Sequence, residues 1–192
     1  HYGCRRVLVF CVSNALGHWQ GEIEKYFREP SGKVLPVRHT TMVSEAIGSS
    51  VEYTIVSYPI LIRPGVVEQL ESVPFDGLVW DECHYGKSVR GSKPAKRAVA
   101  CARLIRQLPL RYLIALSATP WENHPGELSA VASALRPDTF PNPQALHHVR
   151  AEHPRFLRAL FAPQLLEIEL REIEGRNLPP ITPQPWQDLF GE

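Results

Sequence analysis

The sequence predicts an α/β domain, a parallel β-sheet flanked by helices, and three observations lead there. Short apolar runs recur along the 192 residues. They lack the alternation of strands with one wet face, so each is expected to be buried on both sides. Amphipathic stretches separate them, and strand, helix, strand in that order demands parallel pairing with right-handed crossovers. The composition agrees: 44% hydrophobic residues, with 21 Lys+Arg against 20 Asp+Glu for a formal charge of +1, describe one ordinary globular domain. A disordered segment would be poorer in apolar residues, and a nucleic-acid-binding tail would be far more basic.

The elements follow in order. Val7–Val12 is apolar at every position and reads as the first strand. A helix is expected over Ala15–Phe27. Val34–Val37 and Tyr53–Ser57 are the next two strands, and Arg63–Ser72 the next helix. Gly77–Trp80 is a fourth strand ending abruptly in charge. The helix expected over Ala95–Leu108 carries an apolar stripe of Ala98, Cys101, Ala102, Ile105 and Leu108, with Lys96 and Arg103 opposite. Tyr112–Leu116 closes the strand set, and helices are expected over Pro125–Leu135 and, shorter, Pro154–Phe161. Half of the 18 prolines lie from Pro137 onward, where regular structure must be short. Residues 1–165 are therefore expected to form the domain and 166–192 an extended connector.

No run approaches the roughly 18 apolar residues of a membrane span, and no signal-peptide pattern opens the chain. An intracellular protein is expected, in the cytoplasm of a bacterium or the nucleus of a eukaryote, with no membrane partner. Cys4, Cys11, Cys83 and Cys101 lie far apart without CxxC spacing and read as reduced core thiols. His147, His148 and His153 lack the carboxylate or thiol pattern that would complete a metal site and read as a surface loop.

Open α/β sheets bind ligands at the carboxyl ends of their strands. The residues to inspect are therefore Ser13-Asn14, Ser57-Tyr58, Asp81-Glu82-Cys83-His84 and Ser117-Ala118-Thr119, each following an apolar run. An Asp-Glu pair alone is more often a strand ending in a polar turn. Adjacent residues at a strand end point in different directions, however, so one carboxylate can hold magnesium on a nucleotide's phosphates while the other orients the attacking water. Ser117 and Thr119, ending a second buried run, can bond to the histidine and carboxylates of a neighbouring strand.

With those residues in view, Asp81-Glu82-Cys83-His84 followed by Ser117-Ala118-Thr119-Pro120 resembles motifs II and III of the superfamily 2 helicase-type ATPases. The flanks are similar to the Snf-type group of DNA translocases and chromatin remodellers. Val7–Phe27 resembles that group's motif Ia, with Trp19 and Glu22 on its helix, and Tyr53–Leu61 resembles motif Ib. Leu116–Phe140 resembles the motif III region, and Leu178-Pro179-Pro180 the stretch leaving the first lobe. The resemblance covers most of the chain and implies a RecA-like (P-loop NTPase-type) first lobe. It implies ATP and Mg2+ as ligands, DNA, in double-stranded form, as partner, and a second RecA-like lobe of the same polypeptide.

Carried onto this sequence, the resemblance makes Asp81 the magnesium carboxylate and Glu82 the general base. His84, Ser117 and Thr119 would couple the nucleotide site to motif III. Ser13, Asn14, Ser57 and Tyr58 would face the nucleic-acid backbone. Between Glu82 and Glu122 no acidic residue occurs, and Lys87, Arg90 and Lys93 open a run of basic residues there that could follow phosphates.

One expected part is missing from the sequence. Phosphate binding in these ATPases needs G-x-x-x-x-G-K-[ST], whose amides cradle the phosphates. Gly86-Lys87-Ser88 follows the acidic strand instead of opening a helix and does not fit. In the family the loop precedes motif Ia, so the first strand, loop and helix are expected upstream of His1, and the 192 residues alone are expected to be inactive. The alternatives are a strand-separating DExD/H helicase on DNA or RNA, and a non-hydrolysing lobe that docks nucleic acid or protein.

Overall fold

The structure is a computed structural model and describes residues 4–26, 33–48, 50–86, 95–118, 129–135 and 137. The chain divides into two compact units, His1–His148 and Val149–Glu192, and every described residue lies in the first. The expected helix over Pro154–Phe161, the connector and the boundary at 165 lie outside the described residues.

Strand β1, Val7–Cys11, is buried from Leu8 onward. A short 3-10 turn, Ser13–Ala15, leads into α1, Leu16–Tyr26. Strand β2 is Lys33–Val37 and β3 is Val51–Ser57, joined by a 3-10 segment over Thr40–Ile47. Helix α2, Tyr58–Leu61, is one the apolar pattern does not predict, and the helix expected over Arg63–Ser72 is shorter, α3 over Val66–Glu71. Pro64 favours an extended residue before it, and Gly65, at φ 77°, turns the chain through the left-handed region that only glycine adopts without strain. Strand β4 is Gly77–Trp80, α4 is Lys96–Gln107, β5 is Tyr112–Ala115 and α5 is Ser129–Leu135. Pro109 stops α4, where Leu108 has already turned extended.

All five strands are parallel and pair in the order β2-β3-β1-β4-β5. Pro36 is accommodated because β2 is an edge strand, where a missing N–H breaks no inner ladder. The chain builds to one side of β1 through β2 and β3, then crosses to the other through β4 and β5. The switch therefore falls at β1 beside β4, where a crevice opens at the carboxyl ends of the strands.

The period of 2 along each strand divides two cores. Val9, Cys11 and Ile55 point to one face, where Leu16, Trp19 and Ile23 of α1 cover them. Leu8, Phe10, Val56, Leu78 and Trp80 point to the other, packed by α3, α4 and the 3-10 segment through Leu70, Leu104 and Val43. Each such side chain contributes about 1.5–3 kcal/mol on burial. On α4 the buried residues are Ala98, Ala100, Cys101 and Leu104, so the stripe is rotated from the expected one and Ala102 and Ile105 are only partly covered.

Burial on both faces does not extend to β5. Tyr112, Ile114 and Leu116 lie on the α1 side at 40%, 52% and 39% exposure, whereas Leu113 and Ala115 pack into the opposite core. Helix α1 lies over β2 and β3 and leaves that end of its face open among the described residues.

Asp76 clamps the amino ends of the strands. Its carboxylate accepts the amides of Arg5 and Arg6 at 2.9–3.0 Å, and its carbonyl accepts Arg111 and Tyr112 at 2.8 and 3.2 Å. The Arg6 guanidinium donates to the carbonyls of Ala46 and Gly48 and lies over the Phe75 ring. No described helix is long and apolar enough to cross a membrane.

Candidate active site

The carboxyl end of β4 is built to present acid. Asp81 N–H donates to Phe10 O at 3.0 Å, prolonging the ladder with β1, while Leu116 N–H donates to Trp80 O at 2.9 Å on the β5 side. Both neighbours thus hold the backbone as it leaves the sheet. Glu82 then takes φ +49°, the only positive φ of a non-glycine among the described residues. For an L-residue that conformation costs about 1–2 kcal/mol, and the 3-10 turn Cys83–Gly86 that follows fixes it. Cys83 N–H closes the turn onto Leu116 O at 2.9 Å.

Gly86 ends this turn against the Trp80 ring: a Cβ there would stand 2.1 Å from Trp80 Cζ2. Its glycine is explained by packing. Gly86 thus has a structural reason that owes nothing to phosphate.

Around the acids a hydrogen-bonded cluster forms. Trp19, on α1, donates its indole N–H to Asp81 Oδ2 at 2.8 Å. The Tyr58 hydroxyl donates to the Asp81 carbonyl. His84 Nδ1 lies 2.9 Å from Ser117 Oγ and 3.2 Å from Glu82 Oε2. Which partner receives the proton depends on the tautomer. Glu82 Oε2 is otherwise a buried oxygen without a hydrogen bond, so the coupling between acid and β5 runs through this one ring nitrogen.

No thiol competes for chemistry here. Burial, with the neighbouring Glu82 charge, pushes the Cys83 thiol up to about 12, and burial beside Asp81 does the same for Cys11. All four cysteines are free, as expected, though Cys4 is only partly covered.

The sequence-predicted residues fall into four groups. Asp81, Glu82, His84 and Ser117 come together at the ends of β4 and β5. Ser13 and Asn14 are exposed in the turn after β1. Lys87, Arg90, Lys93 and Thr119 lie outside the described residues. Ser57 and Tyr58, expected to face a nucleic-acid backbone, do not fit that role here: they are 2% and 3% exposed, and the Tyr58 hydroxyl is committed to Asp81. The residue after a strand with no alternation can turn inward or outward with equal ease, and sequence does not say which. Burial holds the Tyr58 phenol far above its ordinary pKa, so it stays a neutral donor.

Beside the acids lies a cavity of about 430 Å³ lined by Val12, Ser13, Tyr58, Tyr85 and the first turn of α4. Tyr85 stacks on Tyr58 at 5.1 Å, and Arg97 lies 4.8 Å over the other ring while donating to Tyr85 O at 3.0 Å. Of the basic run, Arg103 is neutralised by Glu68 and Glu71 of α3, at 2.8 and 2.6 Å. This pairing is not legible locally, because the acids come from a different helix.

Nothing in the local sequence marks Trp19 as a partner of the acids. Its bond to Asp81 spans 62 residues and needs the α1 crossover to exist.

A parallel sheet with carboxylates at the switch point, joined through a histidine to the next strand, defines a RecA-like domain of the superfamily 2 helicase-like ATPases. The chain belongs to the SNF2-related domain family, whose sequence profile matches residues 3–163. Comparison with curated proteins finds no match. Full-length proteins of this family are ATPases of the translocase and remodeller type, and they generally act on DNA.

Proposed function

We propose that this domain is the acid-bearing lobe of an ATP-dependent motor that couples hydrolysis to movement along double-stranded DNA. One observation carries the reading: Asp81 and Glu82 leave the sheet together, but the left-handed turn at Glu82 sends their side chains to different partners, Trp19 and His84. That separation is what metal-assisted phosphoryl transfer needs from a carboxylate pair.

The residues fit magnesium as Mg2+ is held in such sites, by one or two carboxylates with phosphate and water completing the shell. Asp81 has one oxygen bonded to Trp19 and the other without a hydrogen bond, and no cluster of three protein ligands competes with it, among the described residues. Bound there, the ion would neutralise phosphate charge during transfer. Glu82 would accept the proton of the attacking water, its buried Oε2 being short of a donor in the resting chain. His84 would report the state of Glu82 to Ser117 and thence to β5. Ser13 and Asn14, with the basic residues from Lys87 onward, would contact the nucleic acid; Thr119 would join Ser117.

The 192 residues contain no G-x-x-x-x-G-K-[ST] loop, so on this reading the phosphate cradle comes from elsewhere, as does the second lobe. The 192 residues alone should therefore show no turnover. In the full-length protein, ATP hydrolysis should rise with double-stranded DNA, without displacement of a paired strand. Displacement would replace the translocase with a strand-separating helicase. Absence of turnover with any nucleic acid would leave a docking module and end the motor reading.

A further inference from the structure

We infer that Trp19 is a positioning residue for Asp81, fixing the carboxylate so that one oxygen remains turned toward a magnesium ion. The inference rests on the nucleotide reading above and adds to it a residue outside the acidic box. Asp81's backbone is pinned twice, by its N–H to Phe10 O at 3.0 Å and by the Tyr58 hydroxyl on its carbonyl. Rotation of the side chain is the freedom that remains. The Trp19 indole N–H at 2.8 Å from Oδ2 removes it.

The donor itself cannot wander. Trp19 is part of the apolar cluster of Val9, Cys11, Leu16 and Ile23 under α1, so its ring is held by packing. An indole N–H only donates: it neither competes for a cation nor changes charge with pH. Parity places the bond, since Asp81 continues the β4 face that carries Val79, the face α1 packs on. Carboxylates that bind metals are themselves held by hydrogen bonds, and losing such a partner weakens metal binding about 10–100-fold.

The test uses the full-length protein and Trp19→Phe, which keeps an aromatic ring and loses the N–H. Affinity for a non-hydrolysable ATP analogue is measured with Mg2+ and with EDTA. The gain in affinity that magnesium brings should fall about tenfold or more, with affinity in EDTA unchanged. A merely structural role would weaken both alike, and an undiminished magnesium gain would overturn the inference. Independently, the 15N-indole resonance of Trp19, assigned in the unaltered protein through its backbone connectivities, should shift in Asp81→Asn. An unmoved resonance would also overturn the inference, and this readout stands even if Trp19→Phe fails to fold. If instead the unaltered protein binds no nucleotide at all, the nucleotide reading falls and takes the inference with it, a failure distinguishable because it appears in the parent.

Discussion

At the scale of single residues, the site is made by backbone constraint as much as by chemistry. Gly86 shows it. Any side chain there meets the indole of Trp80, itself 2% exposed, and neither can yield without opening the core under β4. Gly86→Ala should lower stability by about 1–3 kcal/mol, read from denaturant midpoints. A loss near zero would mean that the turn carrying Glu82 is looser than it stands here. The buried thiols give a pH signature. Cys11 and Cys83 hold their protons to about 12 in the folded chain against an ordinary 9.0. Below 9 both states are protonated and nothing changes. Between 9 and 12 the unfolded chain loses these protons first, so folding stability falls as pH rises through that window. Replacing both with Ala or Val should flatten that part of the pH–stability curve. Asp81, Glu82, His84 and Ser117 were legible because strand ends carry their ligands in consecutive residues. The inward turn of Tyr58, the φ of Glu82 and the Trp19 bond were not, because each depends on a partner far away in sequence.

At the scale of elements, apolar runs located all five strands to within a residue or two, and their parallel pairing followed from the helical stretches between them. What pattern reading missed are places where a local conformation outweighs periodicity. Gly65 delays the start of one expected helix to Val66, and Thr40–Ile47 winds as a 3-10 segment that buries only Val43 and Ala46. The strand order was not in the sequence at all: it is fixed by which crossover packs on which face. The Asp76 clamp is likewise invisible locally, yet it ties the starts of β1, β4 and β5 together at the end of the sheet away from the site. Asp76→Ala would strand two backbone amides and should cost about 1–3 kcal/mol of stability. Thermal unfolding measures it, and because Asp76 lies at the opposite end from Asp81, nucleotide affinity should hold at temperatures where the variant is folded.

At the scale of the whole molecule, the described residues leave the sheet open on one face at β5, where Tyr112, Ile114 and Leu116 are exposed. A parallel sheet is normally covered on both faces. The net charge of +1 conceals a division, averaging the acid-free segment between Glu82 and Glu122 against an acidic tail. Membership of the SNF2-related domain family and the geometry of the β4 end both support the proposal that the acidic pair serves hydrolysis. The most direct measurement is ATP turnover and ATP binding by full-length protein carrying Glu82→Gln, which keeps the size and the backbone conformation but cannot take a proton. Turnover should fall at least about a hundredfold while magnesium-dependent ATP affinity stays within about twofold. Turnover near that of the unaltered protein would contradict the account.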